Sequence, residues 1–259
     1  MTQPVTQGQV IRSEWIKLRT VRSSWFVLAA TVLGIAVIGL LVSYVNNAHW
    51  SSMNAGDRAD FNPVNQDLIG VNLAELTVGV LGVLAVTGEY ATGMIRATFA
   101  AVPRRFPVLA AKAGVLAAVT FAVGLVTVLV TFVGGQGLLG AHGISIGHPE
   151  AVRAVFGSTL YLTVVAVLGT GLGFLIRSTA GAIATLLGVL LVLPVVAAAL
   201  PGSSGTTFGR YLPSMAGRAI FIMNGGPGML SPWTGFTIFL LYTAAVMAAA
   251  ALALRLRDA

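Results

Sequence analysis

The 259-residue chain has no cysteine, so neither a disulfide nor a thiolate metal site is open to it. Charge is scarce too: 9% of residues are Asp, Glu, Lys or Arg, against about 25% in soluble domains. Residues 25–45 hold no ionisable side chain other than Tyr44, and residues 114–141 hold none at all. Lysine is nearly missing. Lys17 and Lys112 are the only two, and neither follows a glycine. A G-x-x-x-x-G-K-[ST] phosphate loop is therefore absent, and the chain cannot be a P-loop ATPase by itself. His49, His142 and His148 lack H-E-x-x-H spacing, which leaves a zinc protease unsupported. No Ser/His/Asp set is placed to converge and no catalytic motif is found. The two halves do not align, so an inverted repeat within one chain is not indicated either.

What the chain has in abundance is apolar surface, at 56% of residues and a mean hydropathy of +0.90. The apolar runs are continuous rather than alternating, which argues for membrane-spanning helices and against a barrel. A bilayer core needs about 20 apolar residues in a helix. On that measure the sequence predicts an all-α integral membrane protein with six spans, at residues 24–46, 68–87, 108–133, 152–176, 180–200 and 233–254. The first run is longer than a signal-peptide core and has no A-x-A site after it, so it is expected to remain as an anchor. The whole chain reads as one transmembrane domain: a tail and interfacial helix over 1–23, a bundle over 24–254, and a tail over 255–259.

The connections carry their own signals. The turn around 177–179 is short enough to force the fourth and fifth spans to be antiparallel neighbours. Residues 49–67 read as an irregular polar loop, and 142–150 as a brief one. Residues 201–232 mix Gly and Pro with an apolar patch at 211–223, which reads as a short helix lying at or dipping into the outer leaflet. Pro194 predicts a kink in the fifth span. Gly169, Gly171 and Gly173 permit close helix approach, through internal packing or dimerisation alike. Asn72 and Glu75 lie inside the second span; Glu75 is the one carboxylate predicted within a span and is a candidate pathway residue or a group wetted at the outer mouth.

The net charge of +7 does not point to nucleic acid, because the cations sit at the ends of apolar runs as topology signals do. With six spans, one side holds Arg12, Lys17, Arg19, Arg22, Arg96, Arg104, Arg105, Lys112, Arg177, Arg255 and Arg257. The other holds Arg58, Arg153, Arg210 and Arg218. This bias predicts a multi-pass protein of the cytoplasmic membrane with both termini in the cytosol. Two amphipathic segments lie on the basic side. Over residues 9–22, Val10, Ile11, Trp15 and Leu18 share one face, with Arg12 and Arg19 opposite. Such a helix should lie in the interface plane, with Trp15, Lys17, Arg19 and Arg22 as its anchors. Glu14 interrupts its apolar face and is spaced to pair with Lys17.

The second segment is GEYATGMIRATFAAVPRR, residues 88–105. Met94, Ile95, Thr98, Phe99 and Val102 fall on one arc of a helix that Pro103 should end, and Arg96 lies outside that arc. Its apolar face suits a groove on a cytosolic partner, or else a surface of anionic lipid. Glu89 and Arg96 are spaced to tie this helix to the end of the second span.

SEWIKLRTVRSSW (residues 13–25) followed by a span, together with GEYATGMIRATFAAVPRR, resembles the type-2 ATP-binding-cassette (ABC) exporter permeases of actinobacteria. The resemblance implies an interfacial elbow, a coupling helix after the second span that docks on a separate ATPase, and a re-entrant element before the last span. It implies Glu89, Thr92, Ile95, Arg96, Thr98, Phe99, Arg104 and Arg105 as coupling residues. It also implies a second permease chain as partner and a bacterial setting, with ATP and Mg on the ATPase and no cofactor or metal on this chain. The alternatives are a membrane anchor or scaffold whose basic loop binds lipid or a regulator, and a secondary transporter, for which Glu75 alone is thin provision.

Overall fold

The described residues open on a capped helix. Thr6 accepts from the Gln9 amide at 3.4 Å while the Gln9 side chain accepts from Thr6 N–H at 2.9 Å, a capping box that starts α1 (Gln7–Thr20). Val21 is extended, and α2 (Arg22–Ala48) sets off at once in a new direction. The Trp25 indole N–H donates to Arg19 O at 2.9 Å and fixes this elbow. The structure is a computed structural model describing residues 6–200, 204–223, 225 and 228–256. Arg257 and most of the predicted tail over 255–259 lie outside the described residues.

Six helical segments are long and apolar enough to cross a membrane: Arg22–Ala48, Pro63–Ala91, Arg105–His142, Pro149–Ile176, Thr179–Ala198 and Pro232–Leu256. They reproduce the six predicted spans, each displaced by a few residues at its ends. No strand occurs among the described residues. In α2 the buried residues are Ser24, Leu28, Thr31, Ile35, Gly39 and Ser43, a single seam three or four residues apart. Phe26, Leu33, Val37 and Leu41 on the other faces are exposed, as suits a helix with lipid on its outer side.

At the centre, α5 (Val71–Ala91) packs on α8 (Pro149–Ile176). A methyl group on Gly82 would collide with Ala166 O, and one on Gly169 with Gly79 O, so the two helices meet backbone to backbone. Gly171 faces Val246 and Met247 of α13 (Pro232–Leu256), and Gly173 faces Val86. This glycine series therefore serves packing inside the chain.

Arg177 closes α8 in the left-handed conformation (φ 61°), and Ser178 caps α9 (Thr179–Leu187). The tight turn makes these helices neighbours, as expected. The kink expected at Pro194 takes the form of a π-turn over Gly188–Val192, leading into α10 (Leu193–Ala198). A wider turn absorbs the hydrogen bond that proline cannot donate.

Two connections differ from the sequence reading. Residues 49–67 are not irregular, for they form α3 (Ala55–Asp60) and α4 (Pro63–Asp67). Asn54 accepts from Asp57 N–H at 2.8 Å, and Asn62 accepts from Val64 and Asn65 N–H at 3.1 Å, so each helix has a side-chain cap. The apolar patch at 211–223 is not one helix against lipid. It follows α11 (Ser204–Gly209), and only α12 (Pro213–Arg218) within it is helical. Ile220, Phe221 and Met223 are buried in the main core of the protein itself. Asn65 exchanges two hydrogen bonds with the Met223 backbone, at 2.8 and 2.9 Å, and Arg153 donates to Ile220 O at 2.7 Å. Gly217 gives Tyr161 and Phe239 room to lie against it.

Candidate functional site

The α1 end of the bundle gathers most of the residues singled out in the sequence. α5 stops at Ala91, and Gly93 (φ 74°) turns the chain into α6 (Met94–Ala101), a conformation that costs glycine little. Thr92 donates its hydroxyl back to Gly88 O at 2.9 Å, satisfying a carbonyl at the end of α5. Pro103 follows α6, and α7 (Arg105–Leu139) begins directly after it.

Four charged side chains meet beneath α6. The Lys17 ammonium lies 2.8 Å from Glu14 and 3.0 Å from Glu89. The Lys112 ammonium lies 2.5 Å from Glu14 and 2.6 Å from Glu89. Thr98 joins them: its hydroxyl accepts from Lys17 at 3.2 Å and donates to Glu89 at 3.3 Å. Two carboxylates and two ammoniums cancel in charge, which makes burial tolerable, since an unpaired charge here would cost several kcal/mol. Burial acts to lower the pKa of Lys17, yet hydrogen bonding and charge from Glu14 and then Glu89 outweigh it, and the pKa is raised above its ordinary value. The cluster ties α1, α5, α6 and α7 together with every lysine the chain possesses.

The expected docking face of α6 points the other way. Ile95 and Phe99 are 2% and 7% exposed and pack on Val10, Val86, Val108, Leu109, Phe174, Ala250 and Leu254. The chain's own core takes Ile95 and Phe99 from the apolar arc, while Met94 stays exposed and Thr98 and Val102 are half-buried. Arg105 donates to Leu254 O at 2.9 Å, and its guanidinium sits 5.4 Å from the Phe99 ring centre, so it ties α6 to the end of α13. Glu89 is held by the two lysines and not by Arg96. The residues left outward are Met94, Arg96, Ala97, Ala100, Ala101, Pro103 and Arg104. On α1, Lys17 turns inward while Trp15 and Arg19 are exposed, as is Arg22 at the start of α2.

A second polar cluster lies toward the opposite end of α5. Glu75 is fully buried and takes hydrogen bonds from the Tyr161 hydroxyl and from both arms of Arg218, the Nε one at 3.2 Å. The protein itself shields it from water, since Glu75 has no exposed surface. Asn72, one turn away, is half-buried. Near the end of α4, the buried Asp67 meets the Ser43 hydroxyl and accepts from the Gln136 amide at 2.8 Å, and Gln136 in turn accepts from Ile144 N–H at 2.6 Å.

Sequence reasoning pairs Glu14 with Lys17 but does not find Lys112, Tyr161 or Arg218 as members of these clusters. Their signal was rarity: a carboxylate on an apolar face and a buried lysine both require an opposite charge. Among the described residues no group of three or more His, Asp or Glu could hold a metal ion.

The family model described as ABC-2 family transporter protein matches residues 10–194, which include α1, α6 and all four charges of the first cluster. A comparison with curated proteins returns no match. With more than two thirds of its length so matched, and with six helices able to span a membrane, the chain belongs to the ABC-2 transporter family and is a membrane permease of an ABC transporter.

Proposed function

We propose that the chain is the permease subunit of an exporter of the cytoplasmic membrane, working with a second permease chain and powered by a separate ATPase that holds the ATP and Mg. The carrying observation is the junction of Glu14, Lys17, Glu89 and Lys112 under α6. A force applied to α6 passes into α1, α5 and α7 through Ile95, Phe99 and Thr98, and through the same packing into α8 and α13. The ATPase would act on the outward side of α6, where Arg96 and Arg104 are the exposed charges and Met94, Ala97 and Ala100 leave room for close approach. This side suits an acidic groove with an apolar floor. In this reading Ile95, Phe99, Glu89, Thr98 and Arg105 transmit motion without touching the ATPase, and Thr92 marks the hinge. The basic end faces the cytosol, with Trp15, Arg19 and Arg22 as lipid anchors. Glu75 serves as a clamp for the segment around α12 more readily than as a wall of the pathway.

The test is co-expression with an ABC ATPase from the same genome. Arg96→Glu combined with Arg104→Glu should abolish co-purification and permease-stimulated ATP hydrolysis while the permease still folds and inserts. Wild-type association in that variant would sink the proposal.

A further inference from the structure

A cavity of about 280 Å³ lies between the elbow and the helices behind it, with the four-charge junction and Met94 of α6 among its walls. Its walls change character along their length. Leu81, Leu84, Ala85, Val115 and Leu116 line the deep part, and Glu14, Lys17, Glu89 and Lys112 close the other end. Leu81 and Glu89 are eight residues apart on α5, so the apolar slot runs for roughly 12 Å toward the middle of the bundle. An apolar slot ending in a few polar groups is the form of a small-molecule site.

The charged end is not fully occupied by the protein. An ammonium has three N–H donors. Those of Lys17 go to Glu14, Glu89 and Thr98, but Lys112 donates only to Glu14 and Glu89. The Lys112 side chain is 5% exposed and its third donor has no partner among the described residues. An acceptor oxygen at the head of the slot would satisfy it. Ser23 and Ser24 are also among its lining residues, and Arg19 and Arg22 are exposed on the same elbow. The surroundings are thus apolar where a chain would lie, and they end in a charge-balanced cluster with one lysine donor to spare.

We propose that this cavity binds one alkyl chain of an anionic amphiphile drawn from the leaflet at the α1 end, with the acidic head at Lys112 and the elbow. The head could belong to a free fatty acid or to an anionic phospholipid of the membrane, since a carboxylate and a phosphate meet the same donors. Bound there, the chain wedges the elbow against α5 and α7 beside the four-charge junction. The site stands on this geometry alone and does not depend on the direction of transport or on the ATPase.

The probe is a fatty acid carrying a diazirine midway along its chain, photolysed with the purified full-length protein in phosphatidylcholine nanodiscs, with adducts mapped by peptide mass spectrometry. Adducts should concentrate on Leu81, Leu84, Val115 and Leu116. Unlabelled fatty acid or phosphatidylglycerol should suppress them, and whichever does so identifies the source; a neutral monoacylglycerol and an alkylammonium should not. A side chain at Gly88 meets nothing within 4 Å of its Cβ, so Gly88→Phe can block the slot without disturbing the backbone. Gly88→Phe should reduce the adducts about tenfold with an unchanged melting temperature. Ala85→Trp, which fills the slot from a different position, gives an independent block. Adducts spread evenly over the exposed faces of α2 and α13, labelling that survives both blocks, or equal competition by the alkylammonium would overturn the assignment.

Discussion

The two polar clusters along α5 are both buried, yet they are wired differently. At the α6 end, Lys17 and Lys112 each touch both Glu14 and Glu89, so each charge has two partners. At the other end Glu75 has one cation, Arg218, brought from 143 residues away in the sequence. Redundant pairing lets helices shift while no charge is left bare, because one partner can be released before the other. Exclusive pairing does not, and removing one member of a buried pair typically costs about 3–5 kcal/mol. The first arrangement suits a joint that moves and the second suits a clamp that holds.

The comparison can be broken by mutation. Arg218→Met should have the largest effect, a loss of about 3–5 kcal/mol, read as a lowered melting temperature by tryptophan fluorescence in detergent. Adding Glu75→Leu to it should recover most of that loss, because an apolar pair leaves no charge behind. Lys112→Met should cost less, roughly 2 kcal/mol, since Lys17 still neutralises part of the carboxylate pair. If Lys112→Met proved as damaging as Arg218→Met, redundancy at the α6 end would be refuted. Arg105→Ala should cost about 1 kcal/mol, from its bond to the end of α13 and its place over Phe99.

The smallest effect is a pH dependence. The raised pKa of Lys17 contributes stability that is fully present below its unfolded value and is lost as pH rises through the folded one. The window therefore lies above about pH 10.4. The melting temperature of the wild type should fall more steeply there than that of Lys17→Met, by an amount under about 1 kcal/mol because the lysine is only half-buried. Parallel curves for the two proteins would remove Lys17 from the account.

Much of the fold could be read from the sequence because membrane spans are set by length and apolarity. The six spans and the tight turn at Arg177 follow from those two quantities. The pairing of Glu14 with Lys17 was also legible, being local to one helix. What failed were the destinations of apolar faces. Ile95 and Phe99 were assigned to a partner, and Phe221 and Met223 to lipid, while the chain buries all four in itself. Burial free energy has no direction. An apolar stripe therefore reports that something covers it, without saying what. The long-range pairs were illegible for a related reason: Glu75 announced that it needed a cation, and nothing local pointed to Arg218. The family match ends at residue 194, so that cation also lies beyond the matched region.

The close contact of α5 with α8 has a mechanical consequence. Where Gly82 meets the Ala166 carbonyl and Gly169 meets the Gly79 carbonyl, no side chain stands between them that could change rotamer and absorb a displacement. The pair is a stiff beam with Glu89 near one end and Glu75 about 21 Å along it. A displacement of the beam at α6 is then carried without loss to the anchorage of α12, so that the two ends of the bundle are mechanically coupled.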